Sequence, residues 1–190
     1  MTGGGAQVPG ELTAELRWWW QGDAPRGVQG WFAGLGEARP EQRRDVYCVT
    51  DHRGWGLKRR GVDGPWESKM ALARQCRVPG LPDATLWLKQ EVVRDKHSSD
   101  PELVVEKDRQ VVALEDAEGE PACEIELGRV RVDEREEWST LCFEARAHLS
   151  DPVGNLARAW NNDGGLPEGL ASGWAAAYPE WIAHICREKF

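Results

Sequence analysis

Glu11, Thr13, Glu15 and Arg17 alternate with Leu12, Ala14, Leu16 and Trp18. Strand side chains point to opposite faces in turn, so this stretch reads as a strand with one charged and one apolar face. The same two-residue period returns down the chain. Residues 43–50 (RRDVYCVT) and 55–61 (WGLKRRG, with Lys58 and Arg60 on one face) are strand-like. In residues 66–75, Glu67 and Lys69 oppose Ser68, Met70 and Leu72, and in 84–93 Trp87, Lys89 and Glu91 oppose Leu86, Leu88 and Gln90. Lys107 and Arg109 share a face of 102–114, away from Glu106 and Asp108. Glu124 and Glu126 oppose Cys123, Ile125 and Leu127 in 122–132, and Glu144, Arg146 and His148 oppose Leu141, Phe143 and Ala145 in 138–148. Gly128 is the kind of residue that marks a bulge, which would move Arg129 and Arg131 onto the glutamate face.

Eight strands joined mostly by short turns such as DHRG and VDGP predict a meandering antiparallel sheet or barrel. An ordinary amphipathic sheet with its charged face in water fits the same alternation. Helical spacing appears in a short segment, 28–35, and again after Asp151-Pro152 to about Trp160. Residues 170–186 have a helical bias interrupted at Tyr178-Pro179, where a last short helix can start. The expected organisation is a flexible Gly-rich tail over 1–10 and one domain over 11–190, with barrel strands to 148 and a structural helical segment over 151–190.

The length suits one domain with a sizeable core, and 41% hydrophobic with 29% charged residues describes a globular chain. A formal net charge of -8 argues against general nucleic-acid or anionic-membrane binding. No apolar run approaches a membrane span and no signal pattern opens the chain, so a cytoplasmic location is expected. The five cysteines lack any Cys-x-x-Cys pair, which points to buried free thiols. Trp18, Trp19 and Trp20 must point to both faces of their strand. Packing is the default role for each, with Trp19 on the face of Arg17.

The charged faces matter because a closed barrel cannot hold so many charges unless they bind something, since unpaired buried charge is very costly. Many cations with a few carboxylates suit a polyphosphate carrying Mg²⁺ or Mn²⁺. The order of these strands resembles the CYTH superfamily, the triphosphate tunnel metalloenzymes. The resemblance covers roughly residues 11–148. It rests on TAELR laid on the family's Glu-x-Glu-x-Lys strand, then GLKRR, WESK, LWLKQE, VEKDR, CEIELG and LCFEAR. Thr13 falls at the motif's first glutamate, Glu15 at the second and Arg17 at the lysine.

The resemblance implies an eight-stranded antiparallel closed barrel forming a tunnel. In the C-terminal segment Leu156, Trp160, Leu170, Trp174, Trp181 and Ile185 are apolar anchors with a helical bias, so its helices should cover the barrel's outside or one mouth. The resemblance also implies a metal-dependent hydrolase of a triphosphate or tripolyphosphate, with cyclisation and polymer extension as other chemistries of the family. Arg17, Lys58, Arg60, Lys69, Lys89, Lys107 and Arg109 would hold phosphate. Glu15, Glu124, Glu126 and Glu144 would ligate Mg²⁺ or Mn²⁺. Glu15 and Arg17 are the candidate catalytic residues, although a guanidinium cannot transfer a proton as lysine can. Thr13 removes one expected carboxylate, and this favours an alternative: a non-catalytic module that binds polyphosphate or nucleotide. A third alternative is an all-β interaction protein whose charged faces are solvated.

Overall fold

The computed structural model describes residues 10–61, 63–76, 83–94, 101–115, 119–132, 136–147, 151–162 and 167–187. The Gly-rich tail up to residue 9, His97, His148 and parts of several expected loops lie outside the described residues.

Eight antiparallel strands close on themselves: β1 (Glu11–Gln21), β2 (Arg39–Cys48), β3 (Trp55–Arg60), β4 (Trp66–Cys76), β5 (Ala84–Val92), β6 (Glu102–Glu115), β7 (Pro121–Val132) and β8 (Glu136–Arg146). The order runs β5-β4-β3-β2-β6-β7-β8-β1, and β1 returns to β5 through pairs from Glu11↔Lys89 to Glu15↔Thr85. Closure pairs the first half of β1 with β5 and leaves an edge only on its second half. Among the described residues no helix is long and apolar enough to cross a membrane.

The alternation decides what faces where. Leu16, Trp18 and Trp20 of β1, Ile125 of β7 and Phe143 of β8 point outward into an apolar layer. Helix α1 (Arg26–Ala33) contributes Val28 and Phe32 to that layer, and α2 (Pro152–Asn162) contributes Leu156 and Ala159. Trp18 stacks on Trp160 and meets the edge of Phe143. Each such aromatic removed from water stabilises the fold by about 2–3 kcal/mol.

Beyond Glu15, β1 parts from β5. The two-residue strand β9 (Trp174–Ala175) pairs with Trp18 and Trp19 there. The Trp19 indole donates to the Ala176 carbonyl at 2.8 Å, fixing the entry to α3 (Tyr178–Arg187). Pro179 sits in the first turn of α3, where a missing N–H costs nothing. Glu180 accepts from the Ala177 N–H at 3.3 Å, one half of a capping box.

Both expected places for the C-terminal helices are filled: α2 packs on the outside, and α3 closes one end. Two expectations need correction. The pairing of β7 with β6 and with β8 runs unbroken through Gly128, so there is no bulge at that point. Arg129 and Arg131 stay on the outer face and are exposed. The helical bias over 170–177 gives only a 3-10 turn at Leu170–Ser172 before β9, because the edge of β1 offers backbone partners that a helix would forgo.

Candidate functional site

Inside the barrel the charged faces surround a cavity of about 110 Å³. All seven expected phosphate-binding residues line it: Arg17 from β1, Lys58 and Arg60 from β3, Lys69 from β4, Lys89 from β5, and Lys107 and Arg109 from β6. Glu124, Glu126 and Glu144 line it too. Glu15 is fully buried behind this surface and binds Lys69 and the Arg17 Nε.

Arg17 is the centre of the network. Its Nη1 donates to Glu126 Oε1 and to Thr140 Oγ1, each at 3.1 Å. Its guanidinium carbon lies 4.6 Å from the centre of the Tyr178 ring, in cation–π range. Burial would lower the Arg17 pKa, but Cys142, Glu126 and Glu15 outweigh it and hold the group well above its usual value. Glu126 also binds Arg109, which reaches on to Glu41. Burial pushes the Glu126 carboxyl up, yet Arg17, Arg109 and Lys107 win and bring it to about 2. Lys89 donates to Glu144 at 2.6 Å. The Glu144 carboxyl is held well below its ordinary range by Lys89 and Lys69, against the effect of burial.

At the inner end, Lys107 Nζ lies 2.5 Å from Asp45 Oδ2, 2.7 Å from the Tyr47 hydroxyl and 4.0 Å from the centre of the Tyr178 ring. The two members of this ion pair respond differently. Burial drives Lys107 down to about 7, and Lys58 adds to the fall while Asp45 opposes it. Asp45 is lowered, because Lys107, Lys58 and Arg60 together outweigh its burial.

Among the described residues nine cations line the cavity: the seven above with Arg43 and Arg146. They meet eight carboxylates. Glu11, Glu67, Glu124, Glu126 and Glu144 line the same space, while Glu15, Glu41 and Asp45 stand behind it, each bonded to a lining cation. The interior is thus nearly charge-balanced through its own ion pairs. Among the described residues Arg60, exposed at the rim, is the lining cation without a salt bridge.

The metal ligands implied by the resemblance divide between register and orientation. Glu15 stands opposite Glu144 across β1 and β8, and Glu144 opposite Glu124 across β8 and β7. Three carboxylates in one row on adjacent strands are hard oxygen donors that suit a divalent cation. Among the described residues no three acidic, His or Cys side chains converge as a preformed metal site. Lys69, Lys89 and Arg146 hold the three glutamates instead. As hard oxygen donors in one row the glutamates match the donor chemistry of Mg²⁺ or Mn²⁺, but in this structure each is occupied by a cation. Glu126, clamped between two guanidiniums, is outside the row.

Thr13 is fully buried, and its Oγ1 has no hydrogen-bond partner among the described residues. Sequence reasoning missed Arg43, Asp45 and Tyr47. All three lie at alternate positions of β2, so extending the parity argument to that strand would have found them. Tyr178 gave no such signal, since with Pro179 it marked only the break where a last short helix can start. No protein-family model matches the chain, and no curated protein matches it.

Proposed function

We propose that the protein is a metal-dependent hydrolase of a triphosphate-bearing substrate, inorganic tripolyphosphate or an organic triphosphate, held inside the barrel. The observation that carries this reading is the convergence of Arg17, Lys58, Arg60, Lys69, Lys89, Lys107 and Arg109 from five strands on one enclosed cavity. Charge balance supports the metal requirement. A triphosphate brings several negative charges into a nearly neutral interior, and uncompensated charge there is costly. The anion therefore enters with compensating cations.

Arg17 and Arg109 would grip phosphate oxygens with paired N–H donors. Lys69 and Lys89 would turn from Glu15 and Glu144 to the ligand, and Arg60 would meet it at the rim. The freed Glu15 and Glu144, with Glu124, would hold Mg²⁺ or Mn²⁺. A cation bound there supplies phosphate charge neutralisation and an activated water. Fixed cations around the phosphoryl group supply the electrostatic part of the rate. Five cysteines without any Cys-x-x-Cys pair suit a reducing compartment, and the cytoplasm belongs to this proposal.

Thr13 favours a second reading, a module that binds triphosphate or polyphosphate without cleaving it. A thermal-shift and phosphate-release panel separates the two. Its ligands are tripolyphosphate, ATP, thiamine triphosphate and polyphosphate, each with and without Mg²⁺ or Mn²⁺. A raised melting temperature with metal-dependent phosphate release is the expected result. A shift without release supports the module, and no shift with any anion rejects both.

A further inference from the structure

We infer that the cavity is blind and takes only the free end of a linear phosphate chain, so a chain can be engaged at its terminus but not along its middle. The inference rests on the proposed triphosphate site and adds the mode of entry. The inward faces of the barrel change character along its axis. The cations lie toward one end, whereas at the other the inward positions carry Trp19, Val105, Val130, Val132 and Trp138, all buried. Helix α3 fills the space between them. Trp181, fully buried, lies flat on Trp19 with ring centroids 4.2 Å apart and planes 1° apart, and meets the edge of Trp138.

Tyr178 and Pro179, at the start of the same helix, line the floor of the cavity. The seal against β3 is close. A Cβ at Gly56 would stand 3.0 Å from Pro179 Cγ, so glycine there lets the helix press on the wall. An anion passing this end would have to leave water for the apolar packing of Trp181, Ile182 and Ile185 against the strands, at prohibitive cost. Entry and exit therefore use the same mouth.

The test compares three long-chain polyphosphates of equal length: uncapped, capped at one terminus with a poly(ethylene glycol) chain, and capped so at both. Tripolyphosphate is the reference, and binding is measured by calorimetry without added divalent metal, so that no chain is cleaved during the titration. Uncapped and singly capped chains should bind with affinities within a few-fold of each other per free end. The doubly capped chain should bind at least tenfold more weakly. A doubly capped chain that binds as tightly as the uncapped one overturns the blind-end inference and leaves the triphosphate site standing. Failure of tripolyphosphate and of every chain to bind overturns the site itself, and the inference with it.

Discussion

Glu15 and Glu144 stand directly opposite each other on β1 and β8, and each carboxylate is turned to a different lysine. Like charges facing across a ladder are destabilising, and Glu144 raises the Glu15 pKa while Lys69 and Arg17 lower it against burial. Such a pair is held by its counterions, and on the proposed reading a metal would take their place. In the presence of tripolyphosphate, Mn²⁺ should raise the melting temperature of the unmutated protein by several degrees. Glu144→Gln should abolish that metal-dependent increment while keeping the increment due to the anion alone. An unchanged metal response in Glu144→Gln would place the cation elsewhere.

Glu126 binds Arg17 and Arg109 together, so removing its charge releases two guanidiniums. Metal-free tripolyphosphate binding should become several-fold tighter in Glu126→Gln, as measured by calorimetry. The same change should lower stability at neutral pH by about 3 kcal/mol, the value of a carboxyl brought from its ordinary range to about 2. The sign follows from the lowered native pKa. The contribution is fully present above pH 4.5 and fades as pH falls toward about 2. The stabilities of the two proteins should therefore converge on acidification. Weaker anion binding in the variant would contradict this account of the network.

The barrel was legible in the sequence because its information is local. Parity within β1, β4, β5 and β6 told which side Arg17, Lys69, Lys89 and Arg109 would take, and all four line the cavity. Closure was not local. The pairing of Glu11 with Lys89 joins strands far apart in the chain, and the argument for it came from a resemblance rather than from any window of residues. The ion-pair partners were harder still. Asp45 binds Lys107 because β2 lies beside β6, a neighbour relation that alternation cannot state. Gly128 misled because a glycine in a strand has two readings, bulge or simple gap, and the register chose the second.

Trp181 tests the plug. Its indole is fully buried, stacked on Trp19 and edged by Trp138 and Tyr178. Trp181→Ala should cost about 3–5 kcal/mol, read by denaturant unfolding. Trp181→Phe keeps the stacking partner and should recover more than half of that loss. If both variants unfold at the denaturant midpoint of the unmutated protein, α3 is not part of the core.

Asp45 and Lys107 offer the sharpest electrostatic test, because the pair is buried and each partner depends on the other. Taking two charges out of water is expensive, and the second Asp45 oxygen, Oδ1, has no hydrogen-bond partner among the described residues. Either single change, Asp45→Asn or Lys107→Met, strands a buried charge and should cost about 3–5 kcal/mol. The double change removes both charges and should fall within about 1 kcal/mol of the unmutated protein, with Tyr47 and Tyr178 left to pack. The pH dependence follows from the lowered Lys107 pKa, about 7 in the folded protein against the ordinary 10.5. The groups facing it are Asp45 and Tyr47 on β2, Lys58 on β3, Glu126 on β7 and Tyr178 on α3. Between those two values the unfolded chain holds more protons than the folded one, so this group makes stability rise with pH from about 7 upward. Below about 7 both states are protonated and the full cost of the buried ammonium is present. Denaturant midpoints measured from pH 6 to pH 9.5 should climb in the unmutated protein above neutrality and climb less in the double variant. Equal slopes in the two proteins would show that Lys107 stays protonated throughout, held by Asp45 against its burial.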